Sequence, residues 1–354
     1  MKTISGIWLF LIPFFLTAQS RFAAEITPFA NDKAAAVSIT FDDGTYTQYR
    51  FAFPLLEKYR MKATFSVVGE WVKDNPSFSA EPGMFMIKKM GWNQIDTLSR
   101  YGHEIASHGY YHRKFPRHAP SVVIANEMQQ AKQLVETKLH RPVWTLHYPY
   151  SFTSDSIIRA ARKAGFLFGR TGTYKGVYYN DYRNFNPLLL KSIAFLNDTT
   201  PSLDSLRQVF SKAEGKWLIL MYHHLFPENS REMQILRYHK VRHTYSVYPA
   251  TFEKHLQLLQ DYDFWIAPEA TVGKYMTERK HARIKTRRWF GKYIVRLKTD
   301  LDTAVYGQPL TVKIKLPWKK VRINGSLNDG IFEVKDNFII SVLPQARIVI
   351  KKLN

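Results

Sequence analysis

Apolar residues fall along this chain in two alternating rhythms. Short runs crowded with Val, Ile, Leu and Phe, such as "AAAVSITF", "KATFSVVG" and "KWLILMY", have the length and composition of buried strands. Between them lie longer stretches whose apolar positions recur every three or four residues, the spacing of a one-sided helix. Helices are predicted over residues 47–59, 92–101, 121–139, 154–164, 202–213, 249–262 and 269–282. Repeated strand–helix alternation predicts an α/β fold whose parallel sheet closes, or nearly closes, into a (β/α) barrel.

The rhythm changes near residue 282. A basic bridge, "ARIKTRRWFGKYIVRLK", leads into short strand-like segments separated by the turn signals "NG" and "NDG". The expected organisation is a signal peptide over 1–23, a barrel over 24–282, and a small all-β, sandwich-like domain over 283–354.

The first of these rests on Lys2 followed by "ISGIWLFLIPFFLTA". This apolar run is short for a membrane span and ends in small residues, with cleavage expected after Ala18, Ser20 or Ala23. Export to the periplasm, the cell surface or the medium is therefore expected. The chain has no cysteine, which excludes disulfides, thiolate metal sites and lipoprotein attachment. Its 51 basic and 29 acidic residues give a net charge of +22, which favours anionic partners. Export directs that charge away from nucleic acid and towards an envelope surface or an extracellular polymer.

Polar residues gather where the predicted strands end: Asp42, Asp43, His108, Tyr150 and His223. In parallel barrels the C-terminal ends of the strands carry the chemistry. Taken alone, "DDG" is an ordinary turn. "SHGYYH" alters that reading, because His108 and His112 stand four residues apart and share a face if the segment is a helix or helical turn. Two neutral imidazoles and one carboxylate, with positions left for water, make an open Zn²⁺ site, and Asp43 is the natural third ligand.

"TFDDG" followed by "GHEIASHGYYH" resembles the first two motifs of the polysaccharide deacetylases, the NodB-like carbohydrate esterases. The resemblance implies a distorted seven-stranded barrel. It also implies a divalent metal, most often zinc, on Asp43, His108 and His112, with Asp42 as catalytic base towards metal-activated water. The third motif is partial: "HYPYS" keeps the Pro-Tyr, which implies that the Tyr150 backbone N–H serves an oxyanion hole, but His147 stands where the family has an arginine. The fourth motif, an Asp-Trp, is absent, and "FGRTG" with Arg170 occupies that stretch. "LILMYHH" resembles the fifth, which implies His223 as general acid with His224 as the alternative.

The resemblance spans residues 30–280 and implies a hydrolase removing acetyl groups from the N-acetylated sugars of a polysaccharide or oligosaccharide, anionic or not. Trp71, Trp92, Tyr110, Tyr111, Tyr148 and Tyr150 are candidates for stacking on sugar rings. Two other readings stay open. One is an O-acetyl esterase; the other is a degenerate glycan-binding protein, disfavoured by retention of both aspartates and all three histidines.

Overall fold

The computed structural model describes residues 22–80, 86–116, 119–173, 178–241, 244–335 and 337–353. Except for Phe22 and Ala23, the expected signal peptide lies outside them. Among the described residues no helix is long and apolar enough to cross a membrane.

Ala35–Phe41 is buried at every position, as a strand covered on both faces must be. It lies at the centre of a curled sheet of seven parallel strands. Their spatial order is Ile193–Ala194, Lys216–Tyr222, Ala35–Phe41, Thr64–Val67, Glu104–Ser107, Thr145–His147 and Phe168–Arg170. Phe264–Ile266 pairs in parallel with the first half of the central strand. A bridge between Arg170 and Leu190 brings the last strand against the segment that leads to Ile193–Ala194, so the curl nearly closes. This is the distorted seven-stranded α/β barrel expected from the sequence. Helices cover its outside, and each predicted one is present within a few residues. The helix Arg231–Tyr238 has no counterpart among the predicted segments.

The C-terminal strands form two sheets that share one apolar core. Arg283–Trp289, Lys292–Lys298, Arg347–Lys352, Lys320–Asn324 and Gly330–Glu333 make a five-stranded sheet in that order. Its inward residues, among them Val295, Leu297, Val321, Ile323 and Ile348, pack on Leu310, Val312, Ile314, Ile340 and Val342 of the second sheet. That second sheet has three strands, and its edge is Ala23–Ile26 from the far N-terminal side, paired antiparallel with Leu310–Lys315. The sandwich is thus completed by a strand that sequence reading assigns to the barrel side.

The helix Glu269–His281 joins the two units. Its first turn lies against the starts of the barrel strands, where the Glu269 and Ala270 N–H groups donate to Thr64 Oγ1 and Glu104 Oε2, and it runs from there to the sandwich. There Tyr275 sits in the sandwich core and donates from its hydroxyl to the Thr27 carbonyl, at 3.1 Å.

Candidate active site

Asp42 and Asp43 leave the central strand side by side, yet their side chains enter different surroundings. The chain turns sharply here, with Asp43 at φ 72° and Gly44 at φ 59°. A non-glycine residue at such a φ is strained and persists only where its surroundings enforce it. His112 and Tyr150, at φ 52° and 57°, share that strain. Three of the candidate site residues therefore sit in backbone conformations that free peptides avoid.

Asp43 Oδ1 lies 3.4 Å from His108 Nε2 and 3.5 Å from His112 Nε2. Candidate donor atoms of the three residues all lie within 4.8 Å of one another. The two histidines meet through a loop, not through a helical turn: residues 108–113 are non-helical, and the positive φ at His112 swings its ring over the His108 ring at a centroid distance of 4.8 Å. The geometric premise drawn from the four-residue spacing is corrected here. Glu127, on the long helix Ser121–Leu139, holds this loop by accepting from the backbone N–H groups of Tyr110 and Tyr111, at 2.6 and 2.9 Å.

The donor set fits a divalent ion. The Asp43 Oδ1 atom is buried and has no hydrogen bond of ordinary geometry among the described residues. His108 Nδ1 lies 2.8 Å from the His147 carbonyl, which can only accept, so that nitrogen carries the proton and Nε2 is turned towards Asp43 with its lone pair. Burial pulls the His108 pKa down, but Asp42 and Asp43 outweigh it and hold it above the ordinary histidine value. The pocket calls for positive charge, which a bound cation would also satisfy.

Asp42 is held differently. Its Oδ1 accepts from Ser66 Oγ at 3.0 Å and lies 2.7 Å from His147 Nδ1, while one nitrogen of the Arg170 guanidinium donates to both carboxylate oxygens. Burial pushes the Asp42 carboxyl up, but Arg170, His108 and His147 overcome this and hold it well below the usual carboxylate range. Gln48 donates from its amide to the carbonyls of both Asp42 and His223 and so fastens two strand ends together. Across the site, His223 Nε2 stands 3.9 Å from Asp42 Oδ2. Burial lowers the His223 pKa, against the pull of Asp43 and Asp42.

His147 is a fully buried strand residue, yet it is not inert packing. Its two ring nitrogens face two carboxylates, Asp42 Oδ1 at 2.7 Å and Glu269 Oε2 at 3.0 Å. The ring thus bridges Asp42 to Glu269. Glu269, the first residue of the last barrel helix, is fully buried, and its backbone N–H donates to Thr64 Oγ1 at 2.9 Å. Beneath it Glu104 accepts from Thr64, Thr145 and the Ala270 N–H. Burial and the nearby Glu269 together raise the Glu104 pKa.

The structure thus brings Asp42, Asp43, His108, His112 and His223 to one place, with the Tyr150 ring 4.7 Å from that of His112. His224 points elsewhere and stacks on Phe226. Of the aromatic candidates, Tyr148 belongs to the core, with its hydroxyl on the Leu188 carbonyl, and Trp71 is also buried. Tyr150 and Tyr245 are the exposed rings beside the cluster, next to His112 and His223 respectively. Sequence reading missed Gln48, Glu127, Glu269 and the role of Arg170. The last alone had a signal, its place at a strand end.

The model of the polysaccharide deacetylase family matches residues 30–169, which contain the aspartate pair, His108, His112, His147 and Tyr150. Residues 30–169 form a polysaccharide deacetylase domain. The Bacillus subtilis (strain 168) protein YxkH, described as a polysaccharide deacetylase, is 29% identical over 135 residues, covering 38% of this chain and 44% of that protein. A Staphylococcus aureus (strain MRSA252) poly-beta-1,6-N-acetyl-D-glucosamine N-deacetylase is 24% identical over 161 residues, covering 44% of this chain and 54% of its own. The chain therefore spans about half the length of the curated relatives it matches. Among solved structures, a Mycobacterium smegmatis protein described as a polysaccharide deacetylase aligns at a TM-score of 0.48 and 16% identity, covering 72% of this chain and 94% of that one. Arg170 and His223 lie beyond the matched residues, so the deacetylase domain is completed by strands outside the family match.

Proposed function

We propose that the chain hydrolyses the acetamide of N-acetylated sugars in a polysaccharide or oligosaccharide, releasing acetate and a free amine. The observation that carries this reading is the separation of two adjacent carboxylates, Asp43 turned to two imidazoles and Asp42 to Arg170 and His147. Asp43, His108 and His112 would hold the ion, and a donor set of two histidines and one carboxylate favours zinc. Held there, the ion supplies Lewis acidity towards water and towards an acyl oxygen.

The remaining steps belong to side chains. Asp42 takes a proton from the attacking water as oxygen bonds to the carbonyl carbon. A carboxylate held at so low a pKa gives that proton up readily, and His223, neutral through burial, is the next acceptor at 3.9 Å. Such distances tighten when substrate is bound. His223 then passes the proton to the nitrogen as the C–N bond breaks. Tyr150 and Tyr245 flank the cluster and offer ring faces to a sugar. The apolar run after Lys2 supports action outside the cytoplasm.

The test is acetate release from N-acetylglucosamine oligomers by the purified chain, with and without zinc, beside Asp42→Asn and His223→Gln. Release that depends on metal and on both residues is expected. Equal release by Asp42→Asn would overturn the mechanism. Acetate from O-acetylated glycans alone would reassign the chain as an esterase, and oligomer binding without turnover would make it a binding protein.

A further inference from the structure

The outward face of the five-stranded sheet carries cations opposite one another. Strand register sets Lys285, Arg296 and Arg347 side by side in one row across three strands. A second row sets Lys292, Lys351 and Arg322 side by side, with Ile294 and Val349 between the two rows. All but Lys292 are exposed, and none of the six forms an ion pair among the described residues. Neighbouring strands lie about 4.8 Å apart, and like charges directly opposite destabilise a sheet. The fold tolerates four such cross-strand contacts within one face.

An aromatic pair stands at the corner of this face. Trp289 shares the row of Lys292, and Phe290 follows it in the two-residue turn that closes the hairpin. Phe290 has φ 40° and Gly291 φ 71°, the geometry in which Asn-Gly or Gly-Gly is the ordinary choice. A phenylalanine there is strained, and its ring is 84% exposed, packed edge-on against Trp289, itself 49% exposed. Neither charge pairing nor core packing within the chain accounts for these two features.

We infer that this face docks the protein on an anionic lipid bilayer, with the cationic rows over the headgroups and Trp289 and Phe290 entering the boundary with the acyl chains. Charge complementarity requires an anionic partner. The aromatic tip selects a membrane over a soluble polyanion, because Phe290 projects past the end of the sheet, where a penetrable phase would take it up and a polymer lying across the face would not touch it. The sandwich meets the barrel through the helix Glu269–His281, whose first turn lies at the strand starts, whereas the aspartates follow a strand's last residue.

The test is co-sedimentation of the full chain with vesicles of phosphatidylcholine alone and of phosphatidylcholine mixed with phosphatidylglycerol. The wild type is compared with a row variant (Lys285→Gln, Arg296→Gln, Arg347→Gln) and a tip variant (Trp289→Ser, Phe290→Ser). The N-terminal apolar run is common to all three, so the differences report the sheet face. Stronger binding to the anionic vesicles is expected, weakened about a hundredfold in the row variant and also lost in the tip variant. Thermal stability should hold or rise in the row variant, since it removes repulsion, which separates lost docking from lost folding. Equal binding to both vesicle types, or undiminished binding by either variant, would overturn the inference. Retention on an anionic polysaccharide without vesicle binding would replace it with polymer docking.

Discussion

Arg170 donates from a single guanidinium nitrogen to both carboxylate oxygens of Asp42, from a position 128 residues further along the chain. Both groups are buried, so the pair is sensitive to the loss of either member. Arg170→Met leaves the buried carboxylate without its guanidinium partner and is expected to cost about 3 kcal/mol of stability, read by chemical denaturation. Arg170→Lys keeps the charge without the planar fork. It should recover most of the stability but little of the acetate release, and full activity in that variant would show that charge alone suffices.

Glu269 acts on Asp42 only through His147. Glu269→Gln keeps the volume and an acceptor for the ring but removes the second carboxylate charge. The expected result is about a tenfold fall in kcat with KM unchanged, measured by steady-state acetate release. Glu269→Leu leaves His147 Nε2 unpaired in a dry site and should lower stability as well, by about 1–3 kcal/mol.

Glu127 positions the His112 loop without reaching the ion site itself. Glu127→Ala frees the Tyr110 and Tyr111 N–H groups and relaxes the strained backbone at His112. Zinc affinity, followed by equilibrium dialysis, should drop about tenfold, in the range found when supports of metal ligands are removed. Asp43→Asn, His108→Gln and His112→Gln should each lower it further. An unchanged affinity in these three would place the ion elsewhere.

Stability should also fall as the medium is acidified from pH 6.5 towards 4. Burial lowers the His255 pKa to about 4, and its ring lies against Phe195 with Nδ1 3.1 Å from the Tyr222 hydroxyl. His103 is likewise lowered to about 4, by burial and then by Lys62. For a histidine depressed in the folded state, the unfolded chain binds the proton first. The stability is therefore fully present above pH 6.5 and is lost as the pH drops towards the folded value. The full loss is about 3 kcal/mol per ring, and thermal melts of His255→Phe should show a flatter dependence over that window.

Much of this was legible before the fold was known, for a physical reason. Strand ends are fixed by burial, and burial is written in runs such as "AAVSITF", so residues just past those runs are placed by the sequence. Asp42, Asp43, His108 and His223 are of this kind. His112 was paired correctly with His108 but for the wrong geometric reason, since a positive φ leaves no mark in a hydrophobic pattern. Glu269 was illegible because it opens a helix, where an acidic residue is ordinary. Only the curl of the sheet turns its side chain onto His147. Arg170 was visible at its strand end but had no partner in sequence, because the strand order that brings it to Asp42 is a tertiary fact.

The N-terminal strand carries a consequence for how the chain is made. Ala23–Ile26 finds its partner in Leu310–Lys315, and nearby Thr27 bonds to the Thr311 carbonyl across 284 residues. During synthesis that strand must wait, bare-edged, until residues 310–315 have left the ribosome, and contacts of such separation form slowly. A barrel released by cutting at residue 282 would keep that open edge and would strip the cover from Tyr275. The two units are easily drawn as separable, but they mature as one object, with a late strand arriving to fasten an early one.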